Sequence, residues 1–307
     1  MKKAFIFPGQ GAQYVGMGKD FFDSFSVAKE VFQEADELLN ENLSKIIFEG
    51  PDTLLTQTKY SQVAIFVTSM AILKTVEEQL PHIKPDVCSG LSLGEYTALC
   101  ASKRLGFKDT LLLVKERARL MNEACLKVPG TMAAVLGLDS ESIEQAVRGL
   151  KDVWVANFNA PGQTVISGTK EGVELAAAVL KERGAKRTLP LTVSGAFHSG
   201  LMQVAQDGLA PFVNGVTIQE SDIQFVMNVP GNFVQDSKEI QKNLILQVTQ
   251  SVCWEQGISA MKEAGVQYFL EIGCGKTLTG LNKKMGISLM GSIDKVGDLE
   301  VVSHAIT

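Results

Sequence analysis

The sequence predicts an α/β protein made of two units. Short apolar runs that stop at glycine or proline alternate with segments of helical periodicity, as in layered α/β folds. One of these junctions, CSGLSLGEYTALC (residues 88–100), sets a glycine-rich turn between a short strand and a helix. From about Lys127 the texture changes to a compact run of strands and two helices. A chain of 307 residues is also long for one simple core, so a second unit or an insertion is expected.

The elements follow in order. Residues 3–7 are a short apolar run halted by Pro8-Gly9, a buried strand feeding a loop. Val27, Val31, Ala35 and Leu38 recur at helical spacing. Residues 61–79 contain the long apolar run VAIFVTSMAIL, which ends at Lys74, and read as a buried helix. Residues 86–89 form a strand into the turn at Ser92, residues 95–102 a helix, and Asp109 a cap for a longer helix to about Cys125. Then TMAAVLGL is a strand, DSESIEQAVRGL a helix, VWVANFNAPGQTVISG two strands joined at Pro161-Gly162, TKEGVELAAAVLKERG a helix and AKRTLPLTV a strand. That order, β-α-β-β-α-β, is the split βαβ pattern of a ferredoxin-like unit. The chain then resumes with SGAFHSGLM, mixed helices and a late strand and loop, QYFLEIGCGKTLTGL.

Composition narrows the function. Hydrophobic residues are 45% and charged residues 21%, an ordinary globular balance. A net charge of −5 argues against a general nucleic-acid binder. The apolar run after Met1 is too short for a signal peptide, and no stretch reaches membrane-spanning length. Five scattered cysteines without CxxC suit a reducing cytoplasm rather than a disulfide framework or zinc site. No metal-ligand spacing such as HExxH occurs, and neither metal nor cofactor is expected.

Gly90-x-Ser92-x-Gly94, between strand and helix, has the context of a nucleophile elbow. The glycines permit the sharp turn, and the following helix offers free N–H groups to developing negative charge. An ordinary glycine-rich turn has the same pattern, so a base must be sought. There are three histidines. His82 lies in a proline-bracketed linker and His304 three residues from the last, whereas His198 follows a strand among small residues. His198 is therefore the general-base candidate. Its orienting group is open: no acid between Ser92 and His198 has a distinctive setting, and a dyad oriented by a carbonyl is equally compatible.

Arg117 stands out by its neighbours. Three and four residues away on a helix are Leu113, Val114, Leu120 and Met121, all apolar, whereas Arg119 has Lys115, Glu116, Asn122 and Glu123. Arg119 is expected in water and Arg117 on the buried stripe. A buried guanidinium needs a partner. It is either an internal carboxylate or a ligand carboxylate gripped by the planar fork. PGQGAQ (residues 8–13) follows the first strand but fails GxGxxG, because Tyr14 takes the third glycine position. It suits an oxyanion donor instead: an elbow needs one N–H from the residue after the serine, Leu93, and one from a separate loop, for which Gln10 is placed. GCGKT (residues 273–277) imitates a phosphate loop but has Leu270 where the first glycine is required.

In this order and spacing, FPGQGAQ, GLSLGEY, ERARLM, NFNAPGQTVISG, SGAFHS, LILQVTQSVCW and EIGCGKTLTGL resemble the acyltransferase family: malonyl-CoA:acyl carrier protein transacylases and the acyltransferase domains of fatty-acid and polyketide synthases. The resemblance covers essentially the whole chain. It implies an α/β-hydrolase-like core, residues 1–126 and 197–307, interrupted by a ferredoxin-like subdomain, residues 127–196. It implies transfer of malonyl from malonyl-CoA to holo acyl carrier protein for fatty-acid elongation. Ser92 would be the acylated nucleophile and His198 its partner. Arg117 would bind the malonyl carboxylate, Gln10 and Leu93 would supply oxyanion-hole amides, and Gln247 would orient His198 in place of a triad acid. One position departs: the family usually has His or Gln before the nucleophile, where this chain has Leu91. That residue is not the proton acceptor, so activity is expected to survive, with pocket polarity and acyl preference affected.

Two other readings compete. A serine hydrolase accounts for Ser92 and His198 but leaves Arg117 without a reason. A catalytically silent carrier-protein scaffold would need a miswired Ser92 or His198. Carrier protein is acidic, so the cluster Lys181, Arg183, Lys186 and Arg187 is a docking candidate, beside the plainer alternative of a solvated helix end.

Overall fold

The computed structural model describes residues 1–193 and 195–306. Its fold is α/β with two sheets. The strands are β1 (Lys2–Phe7), β2 (Val87–Gly90), β3 (Thr131–Leu136), β4 (Val153–Ala160), β5 (Gln163–Gly168), β6 (Arg187–Pro190), β7 (Gln224–Met227), β8 (Asn232–Phe233), β9 (Val252–Cys253), β10 (Val266–Ile272) and β11 (Met290–Ile293). The first sheet runs β11-β10-β1-β2-β7-β8 and is parallel except for β8. Parallel strands buried on both faces need continuous apolar runs. Ala4-Phe5-Ile6-Phe7 and Phe269-Leu270 supply them, all at most 1% exposed.

The second sheet runs β6-β3-β5-β4-β9, antiparallel except for β4 with β9. Helices Ser140–Arg148 and Lys170–Glu182 cover one face through Ile143, Val147, Val173, Ala176 and Leu180. Both begin with side-chain caps, Asp139 accepting from the Ser142 amide and Thr169 from the Gly172 amide. The fifth strand was not anticipated. Asn157 of β4 pairs with Val252 of β9, so the C-terminal third of the chain extends this sheet. Two residues carry no periodicity to betray such a strand.

Helix Thr58–Gln79 is buried along most of its length, as its long apolar run requires. Beside it lies helix Phe107–Lys127. That helix starts earlier than expected, after Gly106; Asp109 is not its cap but sits in its first turn, where its charge faces the positive helix end. The GCGKT segment leads into helix Thr277–Lys284, whose Leu278 and Thr279 amides donate to the buried Glu271 carboxylate at 3.0 and 2.7 Å. A carboxylate fills the place a phosphate would need. Among the described residues no helix is long and apolar enough to cross a membrane.

Candidate active site

Neighbouring parallel strands bring separate loops together at their carboxyl ends, where α/β sheets bind ligands. Gln10 follows β1, Ser92 follows β2 and Asn228 follows β7, and these three strands are adjacent. The Leu91 amide donates to the Phe7 carbonyl at 3.0 Å, fixing the turn after β2 to the end of β1. Ser92 has φ 53°, left-handed backbone that is rare for a residue with a Cβ. Gly90 and Gly94 have no room for side chains: a Cβ on Gly90 would lie 2.1 Å from the Gly94 carbonyl, and one on Gly94 2.1 Å from the Phe7 oxygen. The turn can close only with glycine at both places.

His198 lies 3% exposed on the segment that returns from the second sheet. It too is left-handed, at φ 56°. Ser199 anchors the segment, its hydroxyl donating to the Ala196 carbonyl at 2.6 Å and accepting from the Leu201 amide at 3.2 Å. Nδ1 of His198 is 2.7 Å from the main-chain oxygen of Gln247, and Nε2 is 2.8 Å from Oγ of Ser92. A carbonyl oxygen only accepts, so Nδ1 carries the proton. Nε2 is left as an acceptor for the serine hydroxyl. Gln247 therefore contacts the imidazole through its backbone, not its side chain.

Arg117 is 1% exposed at the middle of its helix, while Arg119 points to solvent and pairs with Glu116 and Glu123 at 2.8 Å. The Arg117 guanidinium has neutral partners. Nη1 donates to the Gln62 side chain, and Nη2 donates to Oε1 of Gln247 at 2.9 Å and to Oγ of Ser92 at 3.1 Å. The Tyr96 ring lies 5.5 Å from its Cζ, within cation–π range. Nε has no partner among the described residues. The buried Tyr96 and Glu95 support the cation at longer range, but it makes no ion pair among the described residues, which leaves it able to take a carboxylate partner.

The Gln10 and Leu93 amides donate to no acceptor among the described residues. Gln10 lines the cavity, and Leu93 immediately precedes helix Gly94–Ala101, where amides are unpaired by geometry. Beneath the turn, the Asn228 side chain accepts from the Ser92 amide at 2.7 Å and donates to the Gly90 carbonyl at 2.8 Å. Its own amide donates to the buried Glu95 carboxyl at 2.5 Å. Gln247 Nε2 donates to the Ser92 carbonyl at 2.9 Å.

Burial sets the charge states. Desolvation, helped by the nearby Arg117 cation, lowers the His198 pKa to about 4, so the imidazole is neutral at pH 7. Desolvation raises Glu95 to about 8, against the pull of its Asn228 hydrogen bond and of Arg117. Arg117 is lowered from its usual value by burial.

Ser92, Arg117 and His198 open on a cavity of about 380 Å³ between the two sheets. One wall is the Pro8-Gln13 loop with Leu91. The opposite wall carries Met132, Asn157, Asn159 and Gln163, and Leu191 to Val193 close one side. The other two histidines, His82 and His304, are exposed. The site thus brings together Ser92, His198, Arg117, Gln10, Leu93 and Gln247 with Gln62, Glu95 and Asn228, which were not singled out from the sequence; the basic cluster at Lys181, Arg183, Lys186 and Arg187 is not part of it. Gln62 had a readable signal: a carboxamide directly ahead of the apolar run VAIFV on a helix read as buried. Asn228, one residue past a short strand, looks like any loop asparagine.

Three kinds of comparison bear on this geometry. Residues 4–286 match the family described as the acyl transferase domain. The chain is 43% identical over 309 aligned positions to the malonyl CoA-acyl carrier protein transacylase of Bacillus subtilis, covering 99% of this chain and 96% of that one. The crystal structure of malonyl CoA-acyl carrier protein transacylase from Clostridium perfringens superposes with a TM-score of 0.93 at 37% identity, covering 100% and 97% of the two chains. A structure of a type II PKS acyl-carrier protein in complex with its malonyl-transacylase matches with a TM-score of 0.93 at 36% identity, covering 98% of each chain.

Proposed function

The chain belongs to the acyl transferase family, among the malonyl-CoA:acyl carrier protein transacylases, and on that premise we propose that it moves malonyl from malonyl-CoA to the phosphopantetheine thiol of acyl carrier protein, supplying fatty-acid elongation. The observation that carries the chemistry is the setting of Ser92 Oγ, 2.8 Å from a neutral imidazole nitrogen on one side and 3.1 Å from an arginine lacking a carboxylate on the other. One neighbour takes a proton. The other reads an acid on the acyl group.

Ser92 Oγ attacks the thioester carbonyl carbon as its proton passes to His198 Nε2. The Gln247 carbonyl stabilises the imidazolium through Nδ1–H, replacing the acid of a triad. The oxyanion is held by the Gln10 and Leu93 amides. The C–S bond breaks, His198 returns the proton to the CoA sulfur, and malonyl-Ser92 remains. In the second half the carrier thiol gives its proton to His198, attacks the ester carbon, and Ser92 leaves with that proton. Arg117 grips the malonyl carboxylate throughout, its position held by Gln62 and Gln247. Asn157, Asn159 and Gln163 line the path of the thiol arm, and their carboxamides suit its amides.

The finer fold reading belongs with this proposal. Residues 1–126 and 197–307 are an α/β-hydrolase-like core and 127–196 a ferredoxin-like insertion. Support comes from the order β6-β3-β5-β4, all antiparallel, with both helices on one face. The five scattered cysteines, without a CxxC pair, fit a cytoplasmic home.

Intact-mass measurement after mixing with malonyl-CoA tests the reading. A malonyl adduct that is lost with Ser92→Ala, persists in water and discharges to holo carrier protein supports transfer. Rapid turnover in water without a thiol acceptor would make the protein a hydrolase.

A further inference from the structure

We propose that Asn228 is the positioning residue of the nucleophile, holding Ser92 in its left-handed conformation with its hydroxyl aimed at His198. This rests on the reading of Ser92 as the nucleophile. Main-chain pairing between β2 and β7 ends at Cys88 with Phe225, four positions short of Ser92. Beyond it the Ser89 hydroxyl donates to the Val226 carbonyl at 3.0 Å, and then the Asn228 side chain takes over. Its carboxamide accepts from Ser92 N–H and donates to Gly90 C=O, as a peptide group on a neighbouring strand would.

Three features make this more than a loop contact. Asn228 is 2% exposed, and its bond to the Gly90 carbonyl is buried while that from the Ser92 amide is part-buried. Its amide is tied to Glu95 on the first turn of the following helix, so one residue braces the turn before, at and after the nucleophile. Left-handed backbone at a serine carries strain that the surroundings must offset, and here the N–H and C=O of Ser92 are both held, by Asn228 and Gln247. The bracing also orients the next peptide, which carries the Leu93 N–H. Asn228 itself touches no reacting atom and is not hydrogen-bonded to Arg117, although its Oδ1 also accepts from Gln247 Nε2 at 3.3 Å, and Gln247 Oε1 accepts from Arg117 Nη2. Its other side-chain bonds are to the turn that carries Ser92, so its main effect is on how fast Ser92 reacts.

The test is single-turnover acylation by malonyl-CoA and acetyl-CoA, reading rate constant and amplitude separately. Asn228→Ala removes both side-chain bonds. Asn228→Asp keeps the shape but sets an oxygen against the Gly90 carbonyl, and it carries the test if the alanine variant does not fold. The expected result is full amplitude with the rate down by about a hundredfold, as for a misplacement of order 1 Å. The loss falls on both acyl groups, and the acid limb of the pH profile stays where it is. Asn282→Ala, which removes a buried carboxamide bonded to Trp254 away from the site, controls for general loosening. It should lower Tm without slowing acylation. Reduced amplitude at an unchanged rate in the Asn228 variants would make the residue merely structural and overturn the proposal. If wild type itself forms no adduct on Ser92, the functional reading fails first, and separately.

Discussion

His198 Nδ1 donates to the main-chain carbonyl of Gln247 at 2.7 Å, so the candidate base is oriented by a peptide group and by no carboxylate. A carbonyl fixes the tautomer as a triad acid does but lends the ring no negative charge. With burial and the Arg117 cation also opposing protonation, His198 stays neutral down to about pH 4. The kcat/KM profile for malonyl-CoA is therefore expected to hold its acid limb near pH 4 and not near 6.5. The sign follows from the role: the base works when unprotonated, so a lowered pKa extends activity to lower pH. A limb at 6.5 or above would show that the ring is not held in this buried, neutral state.

Gln62→Leu tests the support of the guanidinium. It leaves Arg117 Nη1 with a buried donor unpaired, which costs about 1–3 kcal/mol. Denaturation should show that loss, and the KM for malonyl-CoA should rise more than that for acetyl-CoA. Equal changes in the two KM values would separate Gln62 from acyl recognition.

Glu95 makes a prediction about stability. Burial raises its pKa from 4.5 to about 8. A raised carboxyl binds more protons folded than unfolded, so its contribution is complete below about pH 4.5 and is lost as pH rises through about 8. Glu95→Gln should therefore flatten the fall of Tm between those limits. An unchanged slope would mean that Glu95 is ionised in the folded protein at neutral pH.

Lys181, Arg183, Lys186 and Arg187 are all exposed, as a docking patch for an acidic partner requires. Reversing their charges should raise the KM for carrier protein, most at low salt, while self-acylation by malonyl-CoA is untouched. No change in transfer would leave the cluster a solvated helix end.

Much of this was legible because single residues broke a local pattern. Arg117 could be placed because its neighbours at three and four residues are apolar, whereas those of Arg119 are polar. His198 emerged from only three histidines. The alternation of elements around the second sheet could be read because its helices are capped and its strands exceed four residues, except β6 and β9. What escaped has physical reasons. Any residue can offer a backbone carbonyl, so the contact of Gln247 with His198 has no signature in its side chain. Asn228 acts across 136 residues of sequence, and β9 is too short for periodicity. The Asp109 cap was misjudged because Gly106 can start a helix without a side-chain bond.

On the proposed reading, Arg117 selects the acyl group that Ser92 carries. Losing one partner of a buried charge pair costs roughly 3–5 kcal/mol, so wild type should prefer malonyl over acetyl by about a hundredfold or more. The direct measurement is the ratio of kcat/KM for acylation of Ser92 by malonyl-CoA and by acetyl-CoA, in wild type and in Arg117→Ala. The account predicts that the ratio collapses in the variant, with malonyl loading falling and acetyl loading retained or raised. A variant that keeps the full malonyl preference would contradict it.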